Sequence, residues 1–155
     1  VHELLAVEGK LYPSSSKTHI TYQFHIPTPL PSLQIDFQYA PKKSEDKSGS
    51  RRLIEQSIEQ YVHPSMQAAY MDKWEQYMPL QNLLTISVDD PSEFRGSAHR
   101  HPEKQSYLLA TSSASPGFIP GAILEGIWRI TISVHCVVTP DCNYLLRVTE
   151  GEQHL

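Results

Sequence analysis

Hydrophobic and polar residues alternate over much of the chain, most cleanly at 18–26, where Ile20, Tyr22, Phe24 and Ile26 share one side while Thr21, Gln23 and His25 share the other. A period of two puts successive side chains on opposite faces of an extended segment, so this stretch predicts a half-buried strand. Leu33, Ile35, Phe37 and Tyr39 repeat the pattern after Pro27, Pro29 and Pro31, which lack amide donors and make the connection a stiff crossover. Leu84, Ile86 and Val88 alternate again up to Asp89-Asp90-Pro91, and Leu5, Val7 and Leu11 suggest a first strand or strand pair broken near Gly9. In the last third, strands are predicted at 105–111, 126–138 and 144–148. Thr139-Pro140-Asp141 reads as a turn that folds the last strand back on its predecessor as a hairpin.

Between the second and third clear strands the period changes. Ile54, Ile58, Tyr61 and Val62 recur at helical spacing, with Ser50 as the N-cap. His63-Pro64 interrupts, and a second helical piece follows with Ala68, Ala69, Met71, Trp74 and Met78 as its less polar members. The whole is an α-helical insertion at about 50–78 in an otherwise β domain. Seven or eight strands, no βαβ alternation and no internal repeat predict a mainly β fold: a single antiparallel β-sandwich over residues 1–155, jelly-roll-like, with a closed barrel as the lesser alternative.

Composition agrees and narrows the function. The 155 residues are 39% hydrophobic and 19% charged, enough for one domain with its own core. Twelve prolines exceed seven glycines, as suits ordered turns. A net charge of −4 argues against a nucleic-acid partner. No apolar run is long enough for a membrane span, and no basic segment precedes an apolar one at the N-terminus, so the expected location is the cytoplasm. Val1 stands in place of an initiator Met and the chain stops just past the last strand, which predicts a domain excised from a longer polypeptide.

The most function-like stretch is 89–102, which gathers several acids, two Arg and two His within fourteen residues. In an extended conformation His99 and His101 point to one side, a start for a divalent-metal site that Asp90 or His135 would complete. The competing reading is a polar loop in which Asp90 and Arg95 fix a turn by hydrogen bonds and an ion pair. Asp90, Arg95, His99, Arg100 and His101 are therefore the candidate ligand-binding cluster, and His99, His101 and His135 the candidate metal ligands. His135 and Cys136 are adjacent on a strand and face opposite ways, so they do not share an ion. Cys136 is predicted to be a buried thiol, with a bridge to Cys142 available under oxidising conditions. The Ser- and Gly-bearing stretch 112–121 matches neither G-x-S-x-G nor a phosphate loop. Its two Pro and two Gly specify a rigid double turn aiming Phe118-Ile119 at the core. Carboxylates are not paired for glycoside hydrolysis.

The string Ala114-Ser115-Pro116-Gly117-Phe118-Ile119-Pro120-Gly121, followed by Glu125-Gly126-Ile127-Trp128-Arg129-Ile130, resembles the N-terminal β-domain of bacterial PHP-type metal-dependent phosphoesterases related to carbaryl hydrolase. Glu8-Gly9, Asp90-Pro91 and Phe94-Arg95-Gly96 extend the resemblance over most of the β portion, and the helical stretch departs from it. The resemblance implies that chemistry belongs to a linked or partner barrel domain that opens with its own H-x-H motif. His99-Arg100-His101 mimics that motif without the ligands that follow it, so no catalytic residue is carried over. The leading expectation is a non-catalytic accessory or interaction domain partnering a phosphoesterase, with no cofactor of its own. The alternatives are a small metal-dependent hydrolase using His99, His101 and His135, and a carbohydrate-binding module using Tyr70, Trp74 and Tyr77.

Overall fold

The computed structural model describes residues 2–98 and 102–151. Eight strands appear: β1 (Glu3–Leu11), β2 (Thr18–Ile26), β3 (Ser32–Ala40), β4 (Leu83–Asp89), β5 (Phe94–Ser97), β6 (Lys104–Ala110), β7 (Gly126–Cys136) and β8 (Cys142–Glu150). They form two antiparallel sheets of order β1-β8-β3-β6 and β2-β7-β4-β5. Strand β1 pairs with β8, β2 with β7, β3 with β6 and β4 with β5. That nesting is what results when a long four-over-four hairpin is rolled so that its successive strand pairs fall alternately in the two sheets, and it is the jelly-roll form of the β-sandwich.

The core lies between the sheets and follows the period-two pattern. Leu33, Ile35, Phe37 and Tyr39 of β3, with Tyr144, Leu146 and Val148 of β8, face Leu84, Ile86 and Val88 of β4 and Trp128, Ile130, Ile132 and Val134 of β7. Burying each large side chain stabilises the fold by about 1.5–3 kcal/mol before ordering entropy is counted. Trp128 is fully enclosed, and its indole N–H donates to Leu124 O at 2.8 Å.

Three sequence expectations are corrected here. Strands β7 and β8 are not a hairpin: β7 lies between β2 and β4, and β8 lies between β1 and β3 in the other sheet. The turn at 139–141 is real, but Asn82 holds the crossing, its amide donating to Thr139 Oγ1 at 2.8 Å and its Oδ1 accepting from Val138 N at 2.6 Å. Strand β1 is continuous through Gly9. That residue stands directly opposite Tyr144, and a Cβ there would lie 2.5 Å from Tyr144 Cζ, so the glycine is the notch in which the ring sits. Residues 94–97 form β5 rather than a loop.

The insertion falls between β3 and β4. Helix α1 (Lys47–Tyr61) begins before Ser50, because Asp46 is its N-cap and accepts from Gly49 N at 2.9 Å. Ser50, Ile54 and Ile58 form its buried stripe, one residue per turn. Helix α2 (Pro64–Asp72) starts with its proline in the first turn and His63 capping Ser65 N, and it buries no side chain. A single 3-10 turn, Trp74–Tyr77, leads back to the sandwich. Trp74 packs under α1, with the Arg51 guanidinium 5.1 Å and the Lys47 ammonium 6.0 Å from its ring.

Candidate functional site

Asp90 and Arg95 come together as the turn reading expects, but inside the protein, each with a side chain 3% exposed and 3.2 Å apart. Asp90 follows β4, and its Oδ1 accepts from the amides of Ser92 and Glu93, both at 2.7 Å, which closes the turn into β5. Arg95 points inward from β5 while its neighbour Phe94 is exposed, the reverse of what their chemistry alone would suggest. The guanidinium makes up for its burial by donating widely: Nε to Ile119 O at 3.0 Å, Nη1 to Ala122 O at 2.9 Å and Asp90 Oδ2, and Nη2 to Gly121 O at 2.9 Å. Its plane lies 5.3 Å from the Trp128 ring. A buried charge is tolerable only when paired and saturated in this way.

The Arg95 fork thus holds the Pro116–Gly121 double turn against the sheet. Backbone bonds lock the same contact, from Ser97 N to Gly117 O at 3.1 Å and from Ile119 N to Arg95 O at 2.9 Å. Gly96 (φ 120°) and Gly117 (φ 92°) make the approach possible, since a Cβ on Gly96 would meet Gly117 O and lie 2.6 Å from Phe118 Cα. Phe118 enters the core and packs against Tyr107 with ring centroids 4.9 Å apart and planes tilted by 48°, whereas Ile119, expected beside it, is half exposed. Burial pushes the Asp90 carboxyl up, but the Glu93 and Ser92 amides and the Arg95 guanidinium outweigh it and hold the group below its ordinary value. The pair is a clamp whose donors and acceptors are directed at the fold itself.

The remaining candidates are scattered. His99, Arg100 and His101 lie outside the described residues. His135 is exposed on the outer face of β7, with Nε2 2.8 Å from Thr85 Oγ1. On the same face, His19 Nδ1 of the neighbouring β2 lies 3.1 Å from Ser133 Oγ of β7 and Thr21 meets Thr131 at 3.0 Å, giving a hydroxyl and imidazole ladder. Among the described residues, no three His, Cys, Asp or Glu side chains gather closely enough to hold a metal ion. Both thiols are free: Cys142 is buried, and Cys136 is only partly so, which corrects the expectation of a buried residue. Burial pushes the Cys136 thiol up and takes Cys142 to about 11, the opposite of what a nucleophile needs.

Cys136 is partly exposed because the core-facing stripe of β7 runs out beyond the sandwich into a groove. This groove, of about 620 Å³, lies between α1 and the end of the sandwich, with Ile54, Ile58 and Val137 at its base. Tyr61, Tyr70 and Tyr77 stand around it, each more than 40% exposed. Tyr70 and Tyr77 were nominated by the sequence as glycan-binding aromatics, but Trp74, named with them, has its ring taken by Arg51. The Tyr, Trp and Met content of the insertion and the helical spacing of Ile54, Ile58 and Tyr61 are the traces of this groove in the sequence; its full lining is not local, because the walls come from three separate segments, 13–16, 53–80 and 136–138.

No family model matches the chain, and no curated protein matches it. A crystallographically solved protein from Sulfurospirillum deleyianum is similar over 96% of this chain and 99% of its own, at 9% identity and a TM-score of 0.33. At that level of likeness the fold assignment rests on this chain's own strand order.

Proposed function

We propose that this chain is a non-catalytic accessory module that packs against, or presents substrate to, a PHP-type metal-dependent phosphoesterase domain carried on the same polypeptide or on a partner. The observation that supports this is the fate of the residues that carry the resemblance. Asp90, Arg95, Gly96, Gly117, Gly121 and Trp128 converge on one buried knot, in which the ionised groups face backbone carbonyls and amides rather than solvent. A motif whose charged groups are used up in this way serves the architecture and not a reaction, which supports a binding or positioning role for the module. The expectation of a catalytic partner comes from the resemblance itself.

The experiment has two arms. The purified chain, supplied with manganese or zinc, is assayed on bis(p-nitrophenyl) phosphate, and it is also added to a metal-loaded PHP-type barrel from which the native β-domain has been deleted. The proposal predicts turnover by the chain alone no greater than the metal blank, together with a stable complex or a lowered KM when the barrel is added. Turnover by the chain alone that His135→Ala abolishes would overturn it in favour of an independent metal-dependent hydrolase.

A further inference from the structure

We propose that the groove between α1 and the end of the sandwich binds a small amphipathic anion, an acyl chain or aromatic body bearing one carboxylate, with Lys17 receiving the charge. This goes beyond the accessory role and stands independently of it.

Size and lining come first. About 620 Å³ falls within the roughly 300–1,000 Å³ of small-molecule sites and is open on one side. The base is the end of the hydrophobic core, where Ile58 and Val137 are buried, and Leu53 continues it up the wall of α1. Tyr61, Tyr70 and Tyr77 line it while partly exposed, and their rings supply flat apolar surface that takes an apolar body at low entropic cost. No carboxylate is found among the described residues lining it.

Charge comes second. Lys17 follows Ser16, which lines the groove, and its ammonium donates at 3.1 Å to the hydroxyl of Tyr61, an exposed residue of the lining. An ammonium has three donors, so this bond leaves two for a ligand oxygen. Lys17 is also the one non-glycine residue with positive φ among the described residues, at 64°. The left-handed region costs an ordinary side chain about 1–2 kcal/mol, and glycine or asparagine would occupy it more cheaply. A lysine held there, bonded to the exposed Tyr61, puts a cation beside an apolar groove, which is the complement of an amphipathic anion.

The test uses the whole chain. Anilinonaphthalene sulfonate, itself an aromatic anion, is titrated by fluorescence and then displaced with decanoate or with decanol. The expected result is saturable binding of one equivalent, displaced about tenfold more readily by decanoate than by decanol. Lys17→Asn suits the left-handed backbone and should erase that preference while leaving decanol unchanged. Ser57→Trp, on the exposed wall of α1, should fill the groove and abolish both. Leu53→Glu, at a partly exposed position, should weaken decanoate selectively and serves if Ser57→Trp does not fold. Binding without saturation, equal displacement by the acid and the alcohol, or probe binding unchanged in natively folded Ser57→Trp or Leu53→Glu would each overturn the proposal.

Discussion

Arg95 has five N–H donors, and four of them end on Asp90, Ile119, Gly121 and Ala122 within the protein. Replacing it by Met leaves the buried Asp90 Oδ2 and three carbonyls without this donor, and should destabilise the domain by about 3–5 kcal/mol in urea unfolding. Gly96→Ala should be comparably harmful, because the added methyl meets backbone and the residue loses its positive φ. The Asp90 carboxyl sits below its ordinary value of 3.8, so its contribution is fully present above that pH and is lost as the pH falls through the lowered value. Asp90→Asn should therefore flatten the acid limb of a stability against pH curve, measured as the urea midpoint from about pH 4 downwards. At the alkaline end the sign reverses. Burial pushes the Tyr39 phenol up from 10.0 to about 12, so its contribution holds below pH 10 and is lost as the pH rises towards 12. Phenolate absorbance at about pH 11 should consequently rise when the protein is unfolded in urea.

The strands were legible wherever one face is apolar and the other polar: 18–26 was read residue for residue as β2, and β3, β4, β6 and β7 lie within a few residues of expectation. Strand β5 was not, because its buried member is an arginine and its exposed one a phenylalanine, and three of the four acceptors that make this favourable are 24–27 residues further along the chain. Local pattern carries no trace of such distant partners. Helix α1 was legible from Ile54 and Ile58, though its start was misplaced because Ser50, a good capping residue, is instead buried in the helix with Asp46 as cap. The two helices should differ in stability. Ile58→Ala in α1 should cost about 2–4 kcal/mol, whereas Met66→Ala in α2, exposed on a helix that buries nothing, should stay within about 0.5 kcal/mol. Hydrogen exchange should show α2 opening before the sandwich strands.

Over the whole molecule, the sandwich and its insertion were readable from periodicity, whereas strand order was not. A turn signal such as Thr139-Pro140-Asp141 says that the chain reverses, and it says nothing of which sheet receives the next strand; here β8 returns to β1 at the opposite end of the sequence. The candidate site was partly legible in the same sense. The pairing of Asp90 with Arg95 was readable from their spacing around a turn, while its burial under the Pro116–Gly121 turn required the tertiary fold. This placement underlies the functional reading, since a motif consumed by packing points to an architectural module. The most direct test is a double-mutant cycle by urea unfolding of the wild type, Asp90→Ala, Arg95→Met and the double variant. A clamp predicts that each single variant loses about 3–5 kcal/mol and that the double loses less than their sum by about 1–3 kcal/mol. Single variants as stable as the wild type, or losses that simply add in the double variant, would contradict it and return Asp90 and Arg95 to the list of groups free to bind a ligand.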